Sequence, residues 1–168
     1  GEALGLQWCD IDMAAKTLTI VHSASFHKGG FSLSTTKTRN SRRTLMFPDA
    51  LRDAFEAEQA KQATEAARFG AGYNPYNLVC CLSDGTPITS GILQHHFQEV
   101  LRSCGLPSIR FHDLRHTNAT LMLRHNVPAK IVSSMLGHSS IGITMDTYSH
   151  VMTDMQAGAV GVMDSLLK

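Results

Sequence analysis

The sequence predicts an α+β fold that is mainly α-helical, with a small three-stranded antiparallel sheet on one side. Short segments with alternating apolar and β-branched residues lie early in the chain, and longer segments with helical periodicity follow them. The chain has 168 residues, which is enough for one domain with a substantial core. We therefore expect a single domain over residues 1–168.

The strands are expected where alternation and β-branched content coincide. They are residues 16–21, 31–36 and 42–47. Residues 1–8, which precede them, have an apolar pattern typical of the end of a helix. Between the first two strands, Gly29 and Gly30 indicate a loop. The three strands would form one antiparallel sheet.

The turn before the third strand is rich in positive charge. It carries four cations within seven residues: Lys37, Arg39, Arg42 and Arg43. Such charges protect an exposed edge strand from pairing with other chains. They would equally suit contacts with phosphate groups, and the local sequence favours neither explanation. Lys28 lies in the same hairpin.

Helices are predicted for most of the remaining chain, because each segment is bounded by residues that begin or end helices. Asp49 after Pro48 would cap the first helix, and Gly137 would end a later one. The predicted helices span about 49–68, 90–101, 111–125, 129–136 and 140–151, with a buried extended segment at 78–82. Residues 153–168 have an apolar stripe but contain Gly158 and Gly161, so this last helix would need a partner surface.

Composition narrows the class of protein only partly. The net charge is +1, so any surface that binds nucleic acid must be local. The sequence has no apolar run long enough to span a membrane and no signal-peptide pattern at its start. Its four cysteines include an adjacent pair and lack the spacing of a zinc site, which favours a reducing cytosol.

The first residues suggest a longer parent protein. The chain begins with Gly1 instead of methionine, and its first turn is already apolar and helix-like. Helices normally have a capping residue before their first turn. We expect this chain to be a fragment of a longer polypeptide.

The segment around His112, Arg115 and His116 is the first candidate functional feature. On a helix, residues at positions i, i+3 and i+4 share one face, so these three side chains would form a compact patch of donors. An arginine can hold two phosphate oxygens at once, and an imidazole can donate a hydrogen bond or carry a proton. An isolated patch of this kind is also typical of a solvated surface helix.

Three other residues share this chemistry. Lys37 lies on the hairpin turn, His138 follows Leu136-Gly137, and Tyr148 comes ten residues after His138. Each has an ordinary structural explanation when taken singly. Tyr148 could be a buried tyrosine with a satisfied hydroxyl, His138 a cap at a helix C-terminus, and Lys37 an edge lysine. The complete set in this order is more specific.

In order and spacing, the set resembles the catalytic domain of tyrosine site-specific recombinases of the phage-integrase type. The matching segments are residues 1–8, Thr36-Lys37-Thr38 before Arg42, 112–117, 136–140 and 144–150. The resemblance covers nearly the whole chain. It implies cutting and rejoining of DNA through a 3′-phosphotyrosyl intermediate, without ATP.

The resemblance also implies a role for each candidate. Tyr148 would attack the scissile phosphate, and His112 would handle a proton. Arg115 and His138 would hold the non-bridging oxygens. Lys37 would protonate the departing 5′-oxygen. His116 and His150 are interpreted as neighbours of the site, with His116 a DNA contact beside Arg39, Arg42 and Arg43.

The same resemblance implies the partners. It implies double-stranded DNA at specific recombination sites, a homotetramer on DNA for the full-length protein, and a location in the bacterial cytoplasm with the nucleoid, away from membranes. It implies no cofactor and no metal ion. No carboxylate cluster of the two-metal type lies near the candidate residues in the sequence. Residues 153–168 would pack on a neighbouring subunit.

One departure from the family pattern affects the expected activity. The family's first catalytic arginine would lie just before Gly1, and its N-terminal DNA-binding domain would lie further upstream. We therefore expect a catalytic domain truncated at its N-terminus and poorly active by itself. Two alternatives remain open: a non-catalytic DNA-binding remnant of an integrase, and a nicking-closing enzyme similar to type IB topoisomerases.

Overall fold

The computed structural model describes residues 1–27, 30–35, 42–149 and 166–167. The chain divides into two compact units, Gly1–Ser108 and Ile109–Lys168. The first contains the strands and two helices, and the second contains three helices within its described residues.

The strands of the first unit form two antiparallel sheets. In the described residues they are β1 (Ile11–Asp12), β2 (Thr17–Ile20), β3 (His22–His27), β4 (Gly30–Thr35) and β5 (Arg43–Met46). A three-stranded sheet has the order β1-β2-β5, and β3 pairs with β4 as a separate hairpin. In the three-stranded sheet Leu18 lies opposite Leu45.

The predicted three-stranded sheet is present, but one of its strands was wrongly assigned. The segment expected at 31–36 pairs with β3, and the short strand β1 takes its place beside β2. The segment of β3 was expected to be loop because its polar and small residues give it little apolar alternation. Its pairing is supported instead by Phe26 opposite Phe31, whose ring centroids are 5.3 Å apart.

The beginning of the chain is not the end of an α-helix. It forms two short 3₁₀ turns, Ala3–Gly5 and Trp8–Asp10. Gly5 allows the first of these turns to pack closely against β3, because a Cβ at this position would lie 2.8 Å from the backbone nitrogen of Ala24. Close packing against β3 therefore takes the place of the predicted helical turn.

The core of the first unit lies between the three-stranded sheet and α1 (Asp49–Phe69). Phe55 of this helix makes edge-to-face contacts with Trp8 and Phe47, at centroid distances of 6.0 and 5.3 Å. The N-cap of α1 is Pro48, not Asp49 as predicted. Asp49 lies in the first turn, where the helix dipole stabilises its negative charge, and its carboxylate pairs with Lys16.

A buried glutamine connects this core to the extended segment at 78–82. Gln62 accepts a hydrogen bond from the indole nitrogen of Trp8 at 3.0 Å and donates one to the carbonyl of Val79 at 2.9 Å. Leu78 and Val79 are buried, as the sequence predicted. The segment makes isolated bridges instead of a continuous ladder, and α2 (Ser90–Ser103) follows it with Thr89 as N-cap.

The second unit is built from α3 (Asp113–Arg124), α4 (Ala129–Leu136) and α5 (Ile141–Thr147). Its core lies between these helices and consists of Ala119, Leu123, Val132, Leu136 and Tyr148. The α5 helix ends at Thr147, four residues earlier than expected, so Tyr148 is its C-cap. Apart from Leu166 and Leu167, the predicted segment 153–168 lies outside the described residues.

The predicted fold class is therefore confirmed: the chain is mainly helical, with a small antiparallel sheet. Over the described ranges, no helix is both long enough and apolar enough to cross a membrane.

Candidate active site

The first part of the candidate site is the beginning of α3. His112 is the N-cap with helical dihedral angles, and Arg115 and His116 follow in the first turn. The imidazole rings of His112 and His116 meet edge-on at 5.6 Å. The two histidines therefore share one face of the helix, as their spacing predicted.

The second part of the site is the turn after α4. Gly137 has a φ of 70°, in the left-handed region that favours glycine. Its amide donates to the carbonyl of Ser134, and the amide of His138 donates to that of Ser133, which together form a Schellman motif. The motif ends α4 sharply and fixes the backbone of His138.

A buried threonine orients the His138 side chain. The Nδ1 atom of His138 lies 2.7 Å from the Oγ1 atom of Thr144 on α5. Thr144 is fully buried, so this contact is held by the surrounding core.

Arg115 connects the first two parts. Its Nη2 atom donates a hydrogen bond to the carbonyl oxygen of Leu136, at the C-terminus of α4. A cation near the last carbonyls of a helix is also favoured by the helix dipole. The contact brings the Arg115 guanidinium to the turn that carries His138.

The third part of the site is Tyr148, whose ring lies in the core while its hydroxyl meets a polar side chain. Tyr148 is 3% exposed and packs with Leu123, Val132 and Leu136. Its hydroxyl oxygen is 2.9 Å from the Nδ1 atom of His116, which is itself exposed. The hydroxyl therefore lies at the border between the apolar core and the polar face of α3.

The surroundings of Tyr148 favour its neutral form. Burial raises the pKa of the Tyr148 phenol above its usual range, and the positive charge of Arg115 opposes this effect. Burial is the larger influence, so the net shift is upward. A reaction that uses the phenolate would require another group to remove the proton.

The predicted site residues of the second unit thus lie in one cluster. Tyr148 contacts His116, and His116 contacts His112. Arg115 donates to the carbonyl of Leu136, two residues before His138. This part of the chain therefore combines one phenol, one guanidinium and three imidazoles. Sequence reasoning missed the contact of His116 with Tyr148 and the contact of Thr144 with His138.

The predicted cations of the first unit have different surroundings. Both terminal nitrogens of Arg43 pair with the Glu2 carboxylate, at 3.0 and 2.8 Å, and the Arg43 side chain is only 12% exposed. This bidentate pair favours a structural role for Arg43. Arg42 is exposed. Lys37, Arg39 and His150 lie outside the described residues.

Thr144 offers a test of how His138 is held. In Thr144→Val, the His138 Nδ1 loses its partner while the buried volume is nearly kept. We expect the free energy of unfolding to fall by about 1 kcal/mol and the tautomer populations of the His138 ring to change. Nitrogen NMR of the imidazole measures the tautomer, and chemical denaturation measures the stability.

The matched control for this variant is Thr147→Val on the same helix. The Thr147 hydroxyl donates to the carbonyl of Ile143 but is exposed, so its loss should leave the His138 spectrum unchanged. An unchanged His138 tautomer in Thr144→Val would contradict the proposed orientation.

The sequence model of the phage integrase family matches residues 1–155, a range that includes every candidate residue. The chain belongs to the phage integrase family. This membership confirms the resemblance predicted from the motifs.

Curated relatives give the same classification. A "tyrosine recombinase XerC-like" protein of Caldanaerobacter subterraneus subsp. tengcongensis is 33% identical over 99% of this chain and 46% of its own length. The ICEBs1 integrase of Bacillus subtilis is 28% identical over 99% of this chain and 45% of its own length. The chain thus spans about half the length of these relatives.

Solved structures of integrases share the fold. The integrase of transposon Tn1549, in complex with transposon right-end DNA, matches with a TM-score of 0.79 and 22% identity. The match covers 99% of this chain and 54% of that one. The XerA recombinase matches with a TM-score of 0.70 and 15% identity, over 95% of this chain and 52% of its own.

Proposed function

We propose that this chain is the catalytic part of a site-specific DNA recombinase. It cuts DNA through a 3′-phosphotyrosyl intermediate on Tyr148 and rejoins the ends to a new partner. The covalent link conserves the energy of the phosphodiester bond, so that rejoining needs no ATP. The geometry that carries the proposal is the Tyr148 hydroxyl at 2.9 Å from the His116 imidazole. The charge of Arg115 acts on the same phenol, and Arg115 reaches the end of α4, two residues before His138.

In this proposal, Arg115 and His138 stabilise the charge that develops on the phosphate oxygens. Both are fixed by contacts that involve the end of α4 and the buried Thr144, so they are already oriented before DNA binds. Donors oriented in advance are among the largest contributions to catalysis of this type. His112 belongs to the same donor face, and Lys37 supplies the proton for the 5′-oxygen.

The proposed partner is double-stranded DNA. The Tn1549 integrase was solved with transposon DNA and the XerH recombinase with its difH substrate, and both share the fold of this chain. For this protein, Arg39 and Arg42 would contact phosphates, whereas the ion pair with Glu2 favours a structural role for Arg43. We extend the proposal to assembly of the full-length protein as a tetramer on DNA, in the bacterial cytoplasm with the nucleoid.

The direct test is capture of a covalent protein–DNA adduct. The full-length protein is incubated with a pool of nicked duplexes whose sequence is randomised around the nick. Cleavage near the nick releases a short strand that diffuses away, so the ends cannot be rejoined and the adduct accumulates. We expect a band that survives SDS, and sequencing of the captured DNA would identify the preferred site.

Two other outcomes would favour the alternative functions. Binding that weakens steeply with salt, without an adduct on any member of the pool, would indicate a DNA-binding remnant and contradict the proposal. Relaxation of supercoiled plasmids that lack the captured site would indicate a nicking-closing enzyme. Exchange of strands between two copies of the captured site is expected only of a recombinase, so it would exclude both the DNA-binding remnant and the nicking-closing enzyme.

A further inference from the structure

Three aromatic side chains of the second unit are linked by two ring contacts. The ring of Tyr148 is 5.9 Å from that of His116, which is 5.6 Å from that of His112. His116 is therefore the imidazole next to the hydroxyl, and His112 is one ring further away. In the described part of the chain, the hydrogen-bond partner of the Tyr148 hydroxyl is His116.

The proposed nucleophile needs a proton acceptor. A free tyrosine is ionised to only about one part in a thousand at pH 7, since its pKa is near 10. Burial of Tyr148 disfavours the phenolate further, and the charge of Arg115 offsets this only in part. An effective base must lie within about 2.6–3.2 Å of the proton that it removes. The distance of 2.9 Å between the hydroxyl and His116 Nδ1 meets this requirement.

We propose that His116 is the general base that removes the proton from the Tyr148 hydroxyl, an inference that rests on the proposed function. The role is distinct from that of His112, which the family resemblance assigns to proton handling. In this proposal, His116 acts on Tyr148 instead of serving as the DNA contact expected from the sequence.

In the proposed step, one proton moves from Tyr148 to His116 and another from Lys37 to the leaving oxygen. The neutral imidazole, with its own proton on Nε2, accepts the phenolic proton at Nδ1. The tyrosyl oxygen forms a bond to phosphorus while the bond from phosphorus to the 5′-oxygen breaks, and that oxygen leaves with a proton from Lys37. In rejoining, a 5′-hydroxyl gives its proton back to Lys37 as it attacks the phosphorus, and His116 returns its proton to the departing tyrosyl oxygen.

Two features of the surroundings suit His116 to this role. Its side chain is exposed, so the imidazole can exchange protons with solvent between cleavage and rejoining. The Asp113 carboxylate, which pairs with Arg110 at 2.8 Å, also interacts electrostatically with His116. A nearby carboxylate stabilises the imidazolium that forms when a histidine acts as a base.

The first variant for the test is His116→Asn in the full-length protein. The asparagine side chain can still accept a hydrogen bond near the position of Nδ1 but cannot take up a proton at neutral pH. We expect adduct formation on the captured site to slow by about a hundredfold or more, within the usual range for general bases. His125→Asn, at the exposed end of the same helix, should leave the rate unchanged.

A second measurement separates proton transfer from positioning. Tyr148 is replaced by a fluorinated tyrosine, whose phenol is more acidic, in proteins with either His116 or the His116→Asn change. If His116 removes the proton, the more acidic phenol should reduce the rate loss caused by His116→Asn. An equal loss with both tyrosines, or no loss with either, would overturn the proposal. His116→Gln serves as a second variant, and unfolding of both variants would show that the histidine serves the fold instead.

The unmodified protein and Tyr148→Phe distinguish failure of this proposal from failure of the proposed function. If the unmodified protein forms no adduct, the recombinase proposal itself fails. If it forms an adduct that Tyr148→Phe abolishes but His116→Asn does not slow, only the assignment of the base fails.

Discussion

Replacing Tyr148 by phenylalanine should abolish the covalent adduct with nicked DNA while the protein remains folded. The phenyl ring can still fill the core position beside Leu123, Val132 and Leu136. The lost hydrogen bond to His116 should reduce the free energy of unfolding by only about 0.5–1.5 kcal/mol. Adduct formation is measured on the captured site, with DNA binding and thermal unfolding measured in parallel.

The matched control is Tyr76→Phe. Tyr76 is 40% exposed, and its ring contact with Phe31 at 4.6 Å does not depend on the hydroxyl. This variant should form the adduct at the normal rate. An adduct that persists in Tyr148→Phe would show that another residue is the nucleophile.

Replacing Arg115 by alanine should slow adduct formation by about a hundred- to a thousandfold, the typical loss for one oriented donor to a developing charge. The variant should also be less stable by about 1–3 kcal/mol, because the carbonyl of Leu136 loses a charged donor. Arg115→Lys should recover part of the stability but little of the rate, since lysine lacks the planar fork.

Arg124→Ala provides the control for the loss of one positive charge. Arg124 lies exposed in the last turn of the same helix. Both alanine variants should weaken DNA binding only modestly, whereas Arg115→Ala alone should reduce the cleavage rate of bound DNA. A normal single-turnover rate in Arg115→Ala would contradict the proposed role of Arg115 in stabilising the charge on the phosphate.

Local sequence signals predicted most of the helices but not the pairing of the strands. The start of α2 could be predicted because its cap is local: the hydroxyl of Thr89 accepts from the amide of Ile92. The strand β3 was not predicted because its stability depends on its partner β4 as well as on its own residues. The pairing of Phe26 with Phe31 is an example. The two-residue strand β1 is too short to have a pattern.

The site was predicted to the extent that it depends on spacing within one helix. The four-residue spacing of His112 and His116 predicted a common face, and their ring contact agrees with it. The contact of His116 with Tyr148 joins residues 32 positions apart, so only the packing of α3 with the end of α5 creates it. The burial of Thr144 beside His138 is likewise a property of the assembled core.

The most direct test of the account is to identify the residue that carries DNA. The adduct formed by the full-length protein is digested with nuclease and protease, and the nucleotide-bearing peptide is sequenced by mass spectrometry. We predict a nucleotide joined through its 3′-phosphate to Tyr148, together with a released strand that has a free 5′-hydroxyl. Attachment to Tyr73, Tyr76 or any other residue, or a link through a 5′-phosphate, would contradict the central claim.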